Sequence, residues 1–366
     1  MIGASEQVAD LLYATQFMAP DPFLWFEHRG KTVGAFTPLE IDRARRTATV
    51  DLVVPWELHR PKLEKKLGRP PRPFELTGAL LRERKIRSVT VPDWTRVGDV
   101  RDLESLGFRV AVASEPFFPG RQIKGAKEIK GIEAGQRAAE AGMERAFEVL
   151  QAAQVRSDKK LVWAGGVLTS ERLRGEIDAA VVRAGAIPSG TIVAGGKQAC
   201  DPHERGFGPL KAGESIIIDI FPRDARTGYF GDLTRTVVKG VAPDALRKMY
   251  ATVQEGKRKV LGEIRSGASG RALHKSLVEL FKLSGFPTEQ RNGRWVGFFH
   301  GTGHSLGLEI HEAPRFSATE FPPGLVMTVE PGIYDPKIGG VRLEDLVVVG
   351  KRGIRNLTRV REVLEI

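Results

Sequence analysis

Four long stretches of this chain place apolar residues at helical spacing. Between Lys127 and Gln151, Ile129, Ile132, Ala139, Met143, Ala146, Phe147 and Leu150 share a face, because positions three and four apart stack along a helix. Leu173, Ile177 and Val181 do the same between Ser170 and Ala184, with Gly185 closing the element, and Asp244 to Ile264 predicts a third helix. A fourth starts at Ser269, carries Leu273, Leu277 and Leu280, and stops at Gly285 with Pro287 behind it, glycine and a following proline being ordinary helix stops. These stripes are core-facing surfaces. Short β-branched runs between and after them predict strands at Thr191–Ala194, Ser215–Ile220, Leu233–Val238, Leu325–Glu330 and Val341–Val349.

The pattern ahead of Lys127 is shorter-ranged. Asp10 onward predicts a strand or short helix, followed by the apolar stretch Pro22–Phe26 and a hairpin-like segment from His28 to Val33 about a turn at Gly30 and Lys31. Pro61, Pro70, Pro71 and Pro73 read as a break in regular structure. Then come a helix at Phe74–Arg84, a strand at Ser88–Val91, a helix at Asp99–Leu106 capped by Gly107, and a strand at Arg109–Ala113. Strands alternating with helices predict a small α/β domain ending near Ser114, and it carries no catalytic constellation. Glu115 to Arg121, rich in proline and phenylalanine, reads as a linker. No internal repeat is visible.

Composition narrows the class. With 366 residues, 41% hydrophobic and 28% charged, the chain can bury a large core and reads as a soluble globular protein. The single Cys200 excludes an intramolecular disulfide and points to a reducing compartment, where a small core residue is its ordinary role. Acids sit near the N-terminus where a signal peptide carries bases, and no apolar run is long enough to span a bilayer. The expected setting is therefore the cytoplasm, with no membrane partner. The net charge of +11 would suit a polyanion, but the bases are scattered without an aromatic-interleaved block, so they read as solvated surface and nucleic acid is not expected.

Chemistry enters at residues 300–311, HGTGHSLGLEIH, where His300, His304 and His311 lie among Gly301, Gly303 and Gly307, with Glu309 and Glu312 close by. Imidazole transfers protons near neutral pH and binds metals, and three of the chain's 7 histidines within a dozen residues outweigh a reading as ordinary core or surface residues. A dinucleotide loop is disfavoured, since the spacing is GxGxxxG and no acidic ribose partner follows suitably. The strands supply acid where apolar residues belong. The run from Ile216 ends in Asp219, Asp232 leads into the strand at Leu233 on the face of Thr234 and Thr236, Glu330 closes the strand from Leu325, and Arg342 and Glu344 share a face. A buried unpaired carboxylate is costly. Two divalent cations would balance four carboxylates, with a neutral imidazole as a further ligand, and an oxygen-rich set suits manganese, cobalt or iron(II) better than a structural zinc. Such a pair can polarise a carbonyl and generate hydroxide at neutral pH, which makes hydrolysis the natural reaction class.

These residues resemble the pita-bread-fold metallopeptidases: methionine aminopeptidase, Xaa-Pro aminopeptidase and prolidase. The resemblance implies an α+β fold, with a pita-bread catalytic domain over residues 122–366 behind a smaller α/β, creatinase-like N-terminal domain over residues 1–118. It also implies five metal ligands: Asp219, Asp232 in DLTRT, His304, Glu330 in VEPGIY and Glu344 in VRLED. Asp232 and Glu344 would bridge two metals, manganese or cobalt with zinc or iron(II) as alternatives, and Glu330 would also serve as base. His203 matches the family's substrate-side histidine and His311 the one that assists at the scissile amide, and His300 and Tyr229 would line the substrate pocket. Arg315 resembles an arginine that can pair with a dipeptide's carboxylate or be a surface residue. Arg342 and Thr234 would orient the ligating carboxylates. The segment between Asp219 and Asp232 is about two residues longer than the family's usual turn, and Asp224 within it is a competing acid.

The resemblance further implies hydrolysis of the bond preceding proline, in a dipeptide or at a peptide N-terminus, by a homodimer. A metal together with His311 or His203 would stabilise the oxyanion. Two alternatives share the fold. A non-catalytic binding protein for nucleic acid or protein partners would generally lack part of the ligand set, and a metal-free amidinohydrolase of the creatinase type should not need the acids retained here.

Overall fold

The structure, a computed structural model, describes every residue except Glu115, Ala318 and Thr319, so the first residue of the expected linker lies outside the described residues. The chain divides into two compact units, Met1–Arg121 and Gln122–Ile366.

In the first unit the strands Ile2–Gly3, Phe23–His28, Lys31–Phe36 and Leu52–Pro55 form a sheet in that order. Leu24, Phe26, Leu80 and Leu103 fill one cluster and Phe17, Trp25 and Phe36 another. The segment after Asp10 is helical, Ala9–Thr15. The hairpin turns one residue earlier than expected, at Arg29 and Gly30, with φ of 53° and 70°; two successive left-handed residues match the strand twist that a two-residue loop must follow. The proline-rich passage also differs from expectation. Pro61 sits in the first turn of the helix Arg60–Leu67 and Pro73 opens the helix Pro73–Glu83. In a first turn the missing N–H costs no intrahelical bond, so these prolines start helices and do not break them. The helix Ile41–Thr47 and the strand Leu52–Pro55 have no counterpart in the periodicity reading.

The second unit is built from two helix pairs, each covering a sheet. Ala126–Ala152 and Ser170–Arg183 pack on the three-stranded sheet of Ile192–Gly195, Ser215–Ile220 and Leu233–Val238, through Met143, Leu150, Ile177, Ile216, Ile218 and Val237. Asp244–Glu263 and Gly270–Leu283 cover a five-stranded sheet that includes Val326–Val329 and Asp345–Val349, through Val253, Leu277, Met327, Val329 and Val347. Strand alternation then leaves Asp219, Thr234 and Thr236 on the face away from the first helix pair. No helix among the described residues is long and apolar enough to cross a membrane.

The predicted strand Val341–Val349 is two strands. Gly339–Arg342 pairs with Gly332–Asp335, and Asp345–Val349 pairs with Val326–Val329. Leu343 and Glu344 form the break, so Glu344 is presented at a junction between sheets and not within a continuous strand.

Two glycines let the first long helix touch the site loop. A Cβ on Gly135 would lie 2.6 Å from Gly231 N, and one on Gly231 would lie 2.3 Å from Gln136 N. Next to this contact Asp232 N donates to Gln136 Oε1 at 2.8 Å. Gly231→Ala is therefore expected to lower stability by roughly 1–3 kcal/mol, as overpacking does, and to weaken divalent-metal binding by shifting Asp232. Thermal melts and metal titration of the variant check both effects.

Candidate metal centre

Antiparallel pairing sets Asp219 opposite Thr234, and the backbone of Glu344 joins the same edge, its N–H donating to Thr234 O at 3.1 Å. The two halves are laced by side chains: Thr236 Oγ1 donates to Arg342 O at 2.8 Å and accepts from Arg342 N at 3.0 Å. This brings residues more than a hundred positions apart to one place. Ligand atoms of Asp232, His304 and Glu344, all buried, lie within 4.8 Å of one another. His304 Nε2 is 3.5 Å from Asp232 Oδ2 and 3.6 Å from Glu330 Oε1. His304 Nδ1 lies 3.3 Å from Ser305 O, a long contact that favours the tautomer carrying its proton on Nδ1 and leaves Nε2 as a lone pair aimed at the acids. Burial, with His311 next to it, lowers the His304 pKa to about 4, so the ring is neutral near pH 7.

Asp219 and Glu344 are each held by a specific donor. Asp219 Oδ2 accepts from Arg342 Nη2 at 2.6 Å, while its Oδ1 is buried with no hydrogen-bond partner among the described residues. Glu344 Oε2 accepts from Thr234 Oγ1 at 2.7 Å. Glu330 is anchored by its backbone, its N–H donating to Thr302 O at 2.8 Å, and its carboxyl has only a 3.5 Å contact with Thr328 Oγ1. Burial, then Glu344 and Asp219, push the Asp232 carboxyl well above its ordinary range; burial, then Glu330 and Asp219, do the same to Glu344, and burial raises Glu330 to about 7. Mutually repelling acids, an unpartnered buried carboxylate oxygen and a neutral imidazole lone pair form a donor set that fits divalent cations.

Arg342 is the hub of the polar wall: besides Asp219 it donates to Tyr334 Oη and Pro202 O, each at 3.2 Å, and to Thr234 Oγ1 at 3.4 Å. Tyr334 is fully buried, with its hydroxyl 2.8 Å from His300 Nε2. His300 thus reaches the centre through Tyr334 and Arg342, and its pKa falls to about 3 through burial and the nearby Arg342. His311 packs edge-on against His304 with centroids 4.4 Å apart. His203, exposed on its loop, is close enough to disfavour protonation of both His300 and His311. Arg315 lies across the strand pair from His304 and is exposed.

Other acids flagged in the sequence are engaged elsewhere. Asp224 belongs to a short strand paired with Ala186–Ile187, and its carboxylate accepts from Thr227 N at 2.8 Å and Thr227 Oγ1 at 2.6 Å. The lengthened segment therefore folds on itself. Glu312 accepts from Lys124 Nζ at 2.7 Å and from Leu308 N at 2.9 Å, bracing the loop after His304. Tyr229 gives its hydroxyl to Glu128 at 3.0 Å and packs with the group around Ile132 and Leu306. The glycines serve close packing, since a Cβ on Gly303 would meet Thr328 O at 2.0 Å.

The sequence reading did not single out Gln136 or Thr328, which hold the backbones of Asp232 and His304. It also missed a buried charge cluster behind Glu344, in which Asp345 takes Arg235 Nη2 and Lys257 Nζ, each at 2.9 Å. Arg235 and Lys257 lie in stretches read as strand and helix, and a charged residue there was the available signal.

Residues 130–351 match the pattern of Metallopeptidase family M24. Over 179 residues the chain is 35% identical to the Xaa-Pro dipeptidase of Pyrococcus furiosus, covering 48% of this chain and 49% of that protein; the chain thus spans about half the length of the relatives it matches in sequence. In structure it is similar to an Xaa-Pro dipeptidase from Bacillus anthracis (TM-score 0.83, 22% identity, covering 98% of this chain and 93% of that one). It is likewise similar to the X-Pro aminopeptidase from Thermotoga maritima (TM-score 0.82, 20% identity, covering 99% and 95%). These likenesses extend over both units and bear out the α+β pita-bread fold with its N-terminal domain.

Proposed function

We propose that this chain, which belongs to metallopeptidase family M24, hydrolyses the peptide bond preceding proline in a dipeptide or at a peptide N-terminus. The observation that carries this reading is the convergence of Asp232, His304 and Glu344 within 4.8 Å, beside Glu330 and the unpartnered Oδ1 of Asp219. Asp219, Asp232, His304, Glu330 and Glu344 would hold two divalent cations, manganese or cobalt ahead of zinc or iron(II), which when bound supply Lewis acidity and lower the pKa of water. The names of the relatives support the substrate class, and nothing in them favours a non-catalytic binding protein. A cytoplasmic homodimer completes the reading.

The protein's own groups then have defined tasks. Glu330, whose carboxyl makes only a 3.5 Å contact with Thr328 Oγ1, accepts the proton of the attacking water as general base. His311 or His203 donates a hydrogen bond to the carbonyl oxygen as charge develops there. The imide nitrogen of an Xaa-Pro bond has no N–H of its own, so the proton it needs on leaving must come from the enzyme side, and Glu330 can return the one it took. His300 lines the substrate side, with its ring fixed by Tyr334. Arg342 and Thr234 keep Asp219 and Glu344 in place.

The test is direct. Purified protein supplied with manganese or cobalt should cleave an Xaa-Pro dipeptide or an Xaa-Pro tripeptide, and chelation should abolish the activity. No hydrolysis across a panel of metals and peptides overturns the proposal. Specificity follows from Arg315: if it pairs with a dipeptide's carboxylate, Arg315→Ala should raise KM for the dipeptide by roughly 10–100-fold, the worth of a charge-assisted bond. The same change should leave the C-terminally amidated dipeptide unaffected. Equal effects on both would assign Arg315 to a role apart from the carboxylate.

A further inference from the structure

We propose that His274 is a positioning residue of the hydrolytic centre, holding Thr302 and through it Glu330, an inference that rests on the reading of that centre as a divalent-metal peptidase site. His274 lies in the helix Gly270–Leu283, and the periodicity of that helix presents it. Leu273, Leu277 and Phe281 point into the core. His274 and Val278, four residues apart, form the neighbouring stripe and line a cavity of about 430 Å³ with Phe298, His300 and Gly301.

From this stripe one side chain reaches both ends of the segment His300–Thr302. His274 Nδ1 stands 2.8 Å from Thr302 Oγ1, and its ring packs on Phe298 with centroids 5.5 Å apart. Phe298 in turn meets the His300 ring edge-on at 5.0 Å. Thr302 is 1% exposed, and a buried hydroxyl left without a partner is costly, so the side chain at position 274 decides where Thr302 settles. The Thr302 carbonyl accepts the Glu330 N–H at 2.8 Å. Because the Glu330 carboxyl has only its 3.5 Å contact with Thr328 Oγ1, it goes where its main chain goes.

The loop is held from the opposite side as well. His304 N donates to Thr328 Oγ1 at 3.1 Å, and a Cβ on Gly303 would meet Thr328 O at 2.0 Å, so the strand Val326–Val329 leaves it no room to move that way. The helix supplies the other half of the clamp through His274. The bond does not depend on the charge of the ring. A neutral imidazole can donate or accept at Nδ1 while the hydroxyl takes the other part, and a protonated one still donates. Asparagine carries an amide at the same distance along the side chain and can make the bond, whereas leucine cannot.

The test compares His274→Leu, His274→Asn and Thr302→Val in the full chain, with manganese titrated into metal-free protein and Xaa-Pro hydrolysis measured at saturating manganese. His274→Leu should weaken manganese binding roughly tenfold or more, the usual effect of losing a group that orients a ligand. Its kcat should fall by a similar factor while KM changes less than about threefold. His274→Asn should recover most of both. Thr302→Val, which removes the hydroxyl and keeps the shape, should reproduce the loss without altering the helix. Combined with His274→Leu it should add little, because both changes remove one bond. Unchanged affinity and kcat in His274→Leu, equal losses in the leucine and asparagine variants, or additive losses in the double variant overturn the proposal. If His274→Leu does not fold, wild-type affinity in Thr302→Val overturns it. Affinity is read without turnover, so a wild type that binds manganese but cleaves no Xaa-Pro peptide overturns the substrate reading alone, and one that binds no manganese overturns both.

Discussion

Glu330→Ala is expected to lower Xaa-Pro hydrolysis by roughly 10²–10⁴-fold, the range for loss of a positioned base, and by more if a cation is lost with it, while unfolding stays cooperative. The expectation rests on how the residue is held. Its position is fixed by the main chain, through the Glu330 N–H to Thr302 O bond of 2.8 Å, which alanine keeps. Its carboxyl makes no short hydrogen bond among the described residues, and the buried Arg342 that attracts it keeps its bonds to Asp219, Tyr334 and Pro202, so truncation strands no hydrogen-bonding group. A destabilised variant would instead point to a structural role. Separate measurement of kcat and of metal stoichiometry distinguishes base from ligand: retained metal with lost turnover assigns proton transfer, and lost metal assigns coordination. A fully active Glu330→Ala protein refutes both.

Metal removal should leave a chain whose stability falls as pH rises from about 4.5 toward 7 and beyond. Asp232, Glu330 and Glu344 all have folded-state pKa values raised by burial, to which neighbouring acids add: Glu344, Asp219 and Glu330 for Asp232, Glu330 and Asp219 for Glu344, and Asp219, against the opposing Arg342, for Glu330. A carboxyl with a raised folded pKa holds its proton more tightly folded than unfolded, so folding is favoured below the unfolded value and that advantage is lost as pH climbs through the folded one. Glu330 alone, moved from 4.5 to about 7, accounts for a change on the order of 3 kcal/mol at about 1.4 kcal/mol per pH unit; Asp232 and Glu344 act in the same direction. Divalent cations replace those protons, so binding releases protons and stabilises more at pH 8 than at pH 5. Thermal melts of chelated and metal-supplied protein across this range check it. A chelated protein whose melting temperature is flat or rises with pH above 5 would contradict the acid cluster as described.

Local signals carried much of the second unit. Helical periodicity located its four long helices, because a face repeating every three to four residues can be buried only one way. Acids at the ends of β-branched runs marked Asp219, Asp232 and Glu330, because a carboxylate there needs a cation or a strong donor. Local reasoning failed where a neighbour distant in sequence decides the outcome. Pro61 reads as a breaker until the helix it starts is seen, and Val341–Val349 reads as one strand until its two halves are found pairing with different sheets. Asp345, next to Glu344, is indistinguishable from a site acid by composition, yet it faces Arg235 and Lys257. Asp224 is spent on its own turn, a choice fixed by the pairing of the loop with Ala186–Ile187.

The sequence by itself determined the four long helices of the second unit, the apolar runs that become its strands and the chemical character of the HGTGHSLGLEIH stretch, since each depends on residues near one another along the chain. Only the tertiary structure decided which acids meet His304. Register across separations of more than a hundred residues, the Gly135–Gly231 contact and the break at Leu343 and Glu344 bring Asp232, His304 and Glu344 together, and burial there turns ordinary carboxyls into groups whose protons a divalent cation can replace.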